Sequence, residues 1–390
     1  MEKIKRVFLI VLDSAGVGQL PDAEKFGDTG ADTLGSCFRS GKLDIPVMQS
    51  MGIYNIENIS FGNSVDLPIA AYGKLEEMSA GKDTTIGHWE ISGIVSEKPL
   101  PVYPDGFPDD IIQKLEKATG RKILCNKPYS GTKVILDYGR EHINTGALIV
   151  YTSADSVCQI AAHEDIVPVE LLYKYCDQAR KILTGENGVG RVIARPFTGT
   201  YPDFVRTSNR HDFSLKPAGK TIMDAFMENN LDTVAIGKIY DIFAGCGITK
   251  MMRTNGNKDG MNKASECAKE DFTGLCFVNL VDFDMLYGHR RDIAGYTQAL
   301  NEFDAWLGKF IKEINEDDVV MVTADHGCDP AFTGTDHTRE YIPLLIYGDQ
   351  ILPANLKTRK SFADIAATIA DILDINYETH GVSFLNLIQK

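Results

Sequence analysis

The sequence predicts an α/β protein: a doubly wound core sheet with helices on both faces, interrupted by a smaller inserted α/β domain. Short apolar runs rich in β-branched residues alternate with helical patterns, as in parallel sheets whose crossover connections are helices. Two turn-rich stretches, residues 98–110 and 214–220, bracket the middle of the chain. The 390 residues are enough for two domains.

The predicted core strands are short runs that are apolar along their whole length, a pattern typical of parallel strands buried on both faces. Between them lie helical patterns such as KTIMDAFMENN (220–230) and GYTQALNEFDAWLGKFIKEIN (295–315). The strand candidates are RVFLIVL (6–12), DTVAIGK (232–238), LCFVNLV (275–281), DVVMVTA (318–324) and IPLLIYG (342–348), all read as parallel.

The turn-rich stretches indicate that the core domain is discontinuous. We expect residues 1–97 and 216–390 to form the core, and residues 98–215 to form the inserted domain. Two further strand candidates, GALIVYTS (146–153) and GRVIARPF (190–197), lie inside the insertion.

Charge and composition exclude several classes of function. The net charge of −14 argues against nonspecific binding to nucleic acid or to an anionic membrane, since both require a basic face. No apolar stretch approaches the roughly 18 residues that span a bilayer, and the run Val7–Leu12 is too short for a signal peptide. The eight cysteines form no CxxC pair, which predicts reduced, mostly buried thiols in a cytoplasmic protein.

Aspartate and histidine residues follow three of the predicted strands. FLIVLD ends on Asp13, VNLVDFD ends on Asp282 and Asp284 with His289 shortly after, and VVMVTADH ends on Asp325 and His326. A lone Asp after a strand is often only a helix cap, and a lone His is usually structural. Because the carboxyl ends of parallel strands meet at one edge of a sheet, however, this combination predicts a shared site.

The residue types indicate a pair of metals. Three Asp and three His, with His337 from the second Asp-His pair, combine hard oxygen with borderline nitrogen donors, which suits Mn²⁺, Zn²⁺ or Fe²⁺. Six protein ligands exceed what one catalytic metal with open positions uses. Two metals about 3.5–4 Å apart would use all six and would suit in-line phosphoryl transfer.

A candidate nucleophile lies in SAGKDTTIGHWEISG (79–93), where Thr84 and Thr85 follow a Gly-flanked turn. A threonine hydroxyl needs a metal to lower its pKa before it attacks. The residues alone do not decide which of the two threonines is the nucleophile. They are also compatible with a threonine that only caps the N-terminus of a helix.

The motifs identify the chain as similar to the alkaline phosphatase superfamily, and within it to the phosphopentomutases. ADHG with an upstream Asp is shared across the superfamily, whereas KDTTIGHWE together with DHTREYIPLL is specific to the mutase branch. The resemblance covers nearly the whole chain, in order: DSAGVGQLPDAEKFGDTGADTLG, GKDTTIGHWE, YTSADSVCQIAAHE, GRVIARPF, RTSNRHDFSLKP, NLVDFDMLYGHRRD and TADHGCDPAFTGTDHTREYIPLL.

The resemblance implies an alkaline-phosphatase-like core and the interconversion of ribose 1-phosphate and ribose 5-phosphate, and of the deoxyribose pair. It implies that Thr84 rests as phosphothreonine and passes its phosphate to the sugar, giving a pentose 1,5-bisphosphate. Mn²⁺ is the family's usual metal, and glucose 1,6-bisphosphate is its activator. The implied ligand sets are Asp284, His289 and His337 for one metal, and Asp13, Asp325 and His326 for the other, with Thr84 bridging.

The inserted domain is a candidate cap, because a mutase has to keep water away from its phosphoenzyme. Within twenty residues it carries four arginines against one acid, Asp203, a pattern that suits a non-reacting phosphate or simply a solvated basic face. These arginines are Arg191, Arg195, Arg206 and Arg210. The resemblance implies that Arg191, Arg206 and Lys238 hold the distal phosphate and that Asp155 contacts the sugar hydroxyls.

Three further expectations concern an alternative function and two residues near the predicted ligands, Asp336 and Cys328. A metal-dependent phosphomonoesterase of the same superfamily would share the metals and is the alternative function. Asp336 is expected to orient His337 or its neighbours rather than bind metal. Cys328, where many relatives carry Asn, is interpreted as a packing position or a residue behind the ligands, although a thiolate there could favour a softer metal such as Zn²⁺.

Overall fold

A computed structural model describes residues 3–153 and 155–390. It divides into two compact units. The first runs to Pro99 and resumes at Pro217–Lys390, and the second is Leu100–Lys216. The bounds of the second unit lie within two residues of those of the segment 98–215, and the assignment of that segment as an inserted cap domain stays a prediction.

The elements alternate along the chain as an α/β protein requires. In order, the strands are β1 (Arg6–Leu12), β2 (Ala71–Leu75), β3 (Ile123–Pro128), β4 (Leu148–Thr152), β5 (Val157–His163), β6 (Arg191–Thr198), β7 (Val205–Arg206), β8 (His211–Ser214), β9 (Asp232–Ile236), β10 (Lys250–Met252), β11 (Gly274–Leu280), β12 (Asp318–Thr323), β13 (Ile342–Tyr347) and β14 (Asn355–Arg359). The α-helices are α1 (Thr33–Arg39), α2 (Pro46–Met51), α3 (Thr84–Ile91), α4 (Asp109–Thr119), α5 (Gly131–Thr145), α6 (Val169–Ile182), α7 (Ile222–Glu228), α8 (Ile239–Ile242), α9 (Asn257–Cys267), α10 (Ile293–Phe310), α11 (Ala363–Ile372) and α12 (Leu385–Ile388).

The first unit is built on one sheet with the strand order β10-β9-β11-β1-β12-β13-β2-β14. The strands β10, β9, β11, β1 and β12 pair in parallel. Every residue of β1, β11 and β12 is buried, which is why these segments are apolar without alternation. The predicted α/β fold class is confirmed.

The prediction of a parallel strand at 342–348 was wrong, because β13 is antiparallel to β12. A parallel neighbour needs a crossover, usually a helix, to carry the chain back across the sheet. The connection between β12 and β13 contains no helix, and it returns the chain from the edge at which β12 ends. That connection carries the TADHGCDPAFTGTDHT stretch.

Helices cover both faces of this sheet. Phe8 of β1 packs edge-on against Phe310 of α10, with ring centroids 5.4 Å apart. Phe277 of β11 stacks on His88 of α3 at 5.8 Å. Phe8 pairs with Cys276 in the register, so Phe277 points to the opposite face.

The second unit contains a smaller sheet with the order β3-β4-β5-β6-β7, in which β8 also pairs with β6. One apolar cluster joins α4 and α6 to the sheet. A second and smaller cluster joins α5 to it, around Tyr151 and Phe197.

No disulfide joins the eight cysteines, all of which lie among the described residues, and six of them are buried. Among the described residues, no helix combines the length and apolar character needed to cross a bilayer.

Candidate metal centre

The predicted ligands lie at one edge of the first sheet. Asp13 directly follows β1, and Asp325 and His326 follow β12. Asp284 lies in a π-helical turn, Phe283–Gly288, that begins just after β11. Because β11, β1 and β12 are adjacent and parallel, their carboxyl ends bring these side chains together.

The first cluster consists of Asp13, Asp325 and His326, whose ligand atoms all lie within 4.8 Å of one another. Nε2 of His326 is 3.5 Å from Oδ1 of Asp13 and 3.3 Å from Oδ2 of Asp325. All three side chains are buried. Oδ1 of Asp13 and Oδ2 of Asp325 accept no hydrogen bond from the described residues, so two buried anionic oxygens face the cluster unsatisfied.

The second cluster is centred on Asp284, which is also buried. Nε2 of His289 lies 3.2 Å from Oδ2 of Asp284, and Nε2 of His337 lies 3.4 Å from Oδ1. The two imidazole nitrogens are 3.1 Å apart. His326 joins the two clusters, since its ligand atom lies within 4.8 Å of those of Asp284 and His337.

Backbone carbonyls orient two of the imidazoles. Nδ1 of His289 is 2.6 Å from the carbonyl oxygen of Thr335, and Nδ1 of His326 is 3.0 Å from that of Gly327. A carbonyl can only accept, so Nδ1 carries the proton and Nε2 presents its lone pair to the cluster. This is the arrangement of metal-binding histidines.

The titration behaviour of the carboxylates fits a cation site. Burial, with the carboxylates of Asp325 and Asp284, raises the pKa of Asp13 to about 7. Burial also acts to raise the pKa of Asp284, but His337 and His289 outweigh it and hold that pKa well below its usual range. A divalent cation bound among these carboxylates would stabilise their ionised forms.

Thr84 is the first residue of α3, and its Oγ1 lies 3.1 Å from Nε2 of His326. The preceding Asp83 caps the helix, because its Oδ1 accepts hydrogen bonds from the amides of Thr85 and Ile86. The cap thereby holds the start of the helix against the ligand cluster.

The glycine in KDTTIGHWE allows α3 to approach the centre closely. A Cβ on Gly87 would lie 2.1 Å from the carbonyl oxygen of Asp325. Only a residue without a side chain permits this contact between the helix and the loop that carries two of the predicted ligands.

His88 and Asn279 are two contributors that sequence reasoning missed. Nδ1 of His88 is 2.8 Å from the carbonyl oxygen of Thr84 and 3.1 Å from Oδ2 of Asp325. Asn279 donates from Nδ2 to Oδ2 of Asp13 at 2.8 Å. His88 stands in the nucleophile motif itself, which was an available signal, whereas Asn279 lies inside an apolar strand and carried none.

Asp336 and Cys328 lie beside the ligands. The amide of His337 donates to Oδ1 of Asp336 at 2.8 Å, and Lys82 lies 3.4 Å from Oδ2. Sγ of Cys328 is 3.5 Å from Nη1 of Arg291, and its ligand atom falls within 4.8 Å of those of Asp284 and His289. Burial raises the pKa of the Cys328 thiol, which favours the neutral form expected of a packing residue.

The expected substrate-binding residues are divided between the units. Lys238 lies in the first unit, at the N-cap of α8 just after β9. In the second unit, Asp155 is exposed between β4 and β5, and Arg191 begins β6. Arg206 ends β7 and lines a cavity of about 470 Å³.

Comparisons with known proteins agree on a single family. A model of the metalloenzyme superfamily matches residues 5–377. A curated phosphopentomutase of Lachnoclostridium phytofermentans is 54% identical over 389 residues, covering 99% of this chain and 100% of that protein. Another, from Carboxydothermus hydrogenoformans, is 53% identical over 390 residues with the same coverage.

A solved structure from Pyrococcus horikoshii shows the same fold. It superposes with a TM-score of 0.51, covering 97% of this chain and 100% of that one, at 14% identity. At that identity the likeness concerns the fold alone.

Proposed function

Because the chain belongs to the phosphopentomutase family of the metalloenzyme superfamily, we propose that it interconverts (deoxy)ribose 1-phosphate and (deoxy)ribose 5-phosphate through a phosphothreonine at Thr84. It is an isomerase of the phosphotransferase type. The observation that carries the proposal is the hydroxyl of Thr84, at the start of a capped helix, 3.1 Å from Nε2 of His326 in the ligand cluster.

The ligand set fits a pair of divalent metals, and Mn²⁺ suits its mixture of carboxylate and imidazole donors. Asp13, Asp325 and His326 would hold one ion, and Asp284, His289 and His337 the other, with Thr84 between them. The unsatisfied buried oxygens of Asp13, Asp284 and Asp325 support this assignment. The bound metals would lower the pKa of the threonine hydroxyl and neutralise charge on the transferring phosphoryl group.

The reaction has two transfers. In the first, the free hydroxyl of a pentose monophosphate attacks the phosphorus of phosphothreonine 84, the Oγ1–P bond breaks, and a pentose 1,5-bisphosphate forms. In the second, Oγ1 attacks the other phosphate of the bisphosphate, which frees the opposite hydroxyl and restores the phosphothreonine. The hydroxyl proton lost in the first transfer is balanced by the proton gained at the leaving oxygen in the second.

Substrate recognition is assigned to Arg191, Arg206 and Lys238 for the distal phosphate and to Asp155 for the sugar hydroxyls. Guanidinium groups suit this task because they bind phosphate through paired N–H donors. A sugar bisphosphate such as glucose 1,6-bisphosphate would serve as activator, because an enzyme that loses its bisphosphate is left unphosphorylated and has to be primed again.

The test is to identify the phosphorylated residue by mass spectrometry after incubation with Mn²⁺ and glucose 1,6-bisphosphate. Phosphate is expected on Thr84 in the natural protein and in Thr85→Ala, and is expected to be absent in Thr84→Ala. Phosphate retained in Thr84→Ala but lost in Thr85→Ala would move the nucleophile by one residue.

The second candidate, a metal-dependent phosphomonoesterase, would share the metal centre. With ribose 5-phosphate, Mn²⁺ and catalytic glucose 1,6-bisphosphate, the mutase produces ribose 1-phosphate with little free phosphate. Stoichiometric release of phosphate without isomer would establish the phosphatase instead.

A further inference from the structure

Arg291 is an arginine beside the second cluster to which no role has yet been given. It follows His289 by two residues, between the π-helical turn Phe283–Gly288 and α10. Its φ of +55° lies in the left-handed region, which residues other than glycine adopt rarely and mainly where surrounding contacts fix them. Contacts beyond local backbone preference therefore hold Arg291 in place.

Backbone carbonyls accept the hydrogen bonds of the Arg291 guanidinium. Nη1 donates to the carbonyls of Gly288 and Asp329 at 3.1 and 2.9 Å. Nε donates to that of Gly334 at 2.5 Å, and Nη2 to that of Asp336 at 3.0 Å. Within residues 3–153 and 155–390, no carboxylate forms an ion pair with this side chain. An arginine that binds four carbonyls and no acid fixes backbone geometry rather than neutralising a charge.

The carbonyls that Arg291 binds include those on both sides of the one that orients His289. Gly334 and Asp336 flank Thr335, whose carbonyl oxygen is 2.6 Å from Nδ1 of His289. The peptide groups before and after this acceptor are thus tied to one guanidinium. A shift of the loop would move Thr335 and rotate the imidazole that presents Nε2 to the cluster.

The same loop carries His337, the other imidazole of the second cluster. It directly follows Asp336, whose carbonyl accepts from Nη2 of Arg291. Most of residues 331–336 are exposed, and residues 328–337 form no helix or strand. Because such a segment has no regular backbone pairing of its own, side chains have to hold it. Arg291 therefore joins this irregular segment to the turn on the other side of the cluster.

The first cluster is oriented by different contacts. Its imidazole, His326, faces the carbonyl of Gly327, which is not one of the four that Arg291 binds. The side chain of His326 is 1% exposed, whereas that of His289 is 34% exposed. An effect of Arg291 on metal binding should therefore be confined to the second cluster.

Charge and position act on metal binding in opposite directions at Arg291. A guanidinium near the cluster repels a cation, so removal of its charge alone would tighten binding. Loss of the four hydrogen bonds would release the loop and weaken binding, because the imidazoles would then have to be ordered as the ion binds. The sign of the change in affinity therefore separates the two effects.

We propose that Arg291 is the positioning residue of the second cluster, and that it holds the imidazoles of His289 and His337 in place before a divalent cation binds. It does so by tying the carbonyls on both sides of Thr335 to the turn that ends at Gly288. Binding of the cation then requires less ordering of the loop, which raises the affinity of this more exposed site. The inference rests on the proposed function only in taking Mn²⁺ as the ion.

The test is calorimetric titration of full-length, chelator-treated protein with Mn²⁺. Arg291→Met is expected to weaken one of two classes of site by about 10–100-fold, the usual effect of removing a group that orients metal ligands. Arg290→Met is the matched control, because it removes the same charge from an exposed neighbour that makes no hydrogen bond or ion pair within the described part of the chain. The control should not weaken binding, since loss of positive charge alone favours a cation.

Two further variants locate the effect. Asp284→Asn disables the second cluster and leaves the first, so Arg291→Met added to it should change the remaining Mn²⁺ affinity by less than about twofold. Arg291→Lys should bind with an affinity between those of the natural protein and Arg291→Met, because one ammonium replaces only part of the guanidinium fork. This variant also carries the test if Arg291→Met does not fold.

Hydrogen exchange of the metal-free proteins gives a readout that needs no metal. Peptides covering residues 329–338 should exchange faster in Arg291→Met than in Arg290→Met, while those of β12 should not differ. A folded Arg291→Met protein with the Mn²⁺ affinity of Arg290→Met overturns the proposal. A loss of affinity that persists unchanged in the Asp284→Asn background also overturns it, since the effect would then not act through the second cluster.

The two proposals fail separately. Absence of phosphate on Thr84 would defeat the proposed function without changing any Mn²⁺ affinity. Equal affinities in Arg291→Met and Arg290→Met would defeat this inference without changing the phosphopeptide of the natural protein.

Discussion

Asn279 donates a hydrogen bond of 2.8 Å from Nδ2 to Oδ2 of Asp13, and the same nitrogen lies 3.4 Å from Nε2 of His88. Nδ1 of that imidazole faces the carbonyl of Thr84 and the carboxylate of Asp325. Because both of these groups only accept, Nδ1 carries the proton and Nε2 accepts from Asn279. The His88 imidazole thus lies between Asp325, the amide that donates to Asp13, and the backbone of the proposed nucleophile.

Asn279→Ala is expected to weaken metal binding by about 10–100-fold, because Asp13 loses the donor that orients it. The measurement is calorimetric titration of the chelator-treated protein with Mn²⁺. Asn301→Ala is the control. Asn301 lies on α10, and its side-chain amide hydrogen-bonds to the backbone of Lys42 and Asp44, neither of which is a predicted metal ligand. Equal Mn²⁺ affinities in the two variants would contradict the role given to Asn279.

His88→Leu should lose most phosphorylation of Thr84, because neither Asp325 nor the first turn of α3 is then held in place. His88→Asn should recover much of it, since an amide nitrogen can replace Nδ1 as donor. Phosphopeptide yield and Mn²⁺ affinity are the readouts. If His88→Asn and His88→Leu were equally impaired while both remained folded, the hydrogen bond from Nδ1 would not be what matters.

The stability of the metal-free protein should fall as pH rises from about 4 to about 7. The pKa of Asp13 is raised to about 7 in the folded protein, above the ordinary carboxyl value near 4, so its proton stabilises the fold until it is lost. Burial raises the pKa of Glu340 to about 7 as well, which acts in the same direction.

Thermal unfolding of chelator-treated protein at about pH 5 and pH 8 measures this effect. Asp13→Asn and Glu340→Gln should each reduce the difference in Tm between the two pH values. Added Mn²⁺ should raise the Tm of Glu340→Gln at pH 8 but that of Asp13→Asn far less. A metal-free protein equally stable at both pH values would refute the assignment.

Gly87→Ala should destabilise the protein by about 1–3 kcal/mol, because its Cβ would overlap the carbonyl of Asp325 and push α3 from the metal centre. Phosphorylation of Thr84 should also fall in this variant, because Thr84 lies at the start of the displaced helix. Gly219→Ala is the matched control, because its Cβ would come no nearer than 3.8 Å to Ile94. Denaturant unfolding compares the two, and similar losses would remove the steric explanation.

Much of the candidate metal centre could be predicted from the sequence, because its residues follow a local pattern. Apolar runs without alternation identify buried parallel strands, and such strands end at a common edge. The Asp and His residues at those ends, Asp13, Asp284 and Asp325 among them, therefore had to meet once the strands were neighbours.

The direction of β13 could not be predicted in this way. IPLLIYG is as apolar as a parallel strand, and only the helix-free connection after β12 makes it antiparallel. The burial pattern of a strand indicates how deeply it lies in the sheet. It carries no information on whether the strand runs parallel or antiparallel to its neighbours.

The sequence by itself determined the fold class, the metal-binding residue types and the strand ends that carry them, because each depends on periodicity and short motifs. Only the tertiary structure decided that Asn279 and His88 connect Asp13 to Thr84. These contacts join residues far apart in the chain, and their partners are set by sheet register and packing, which no local pattern records.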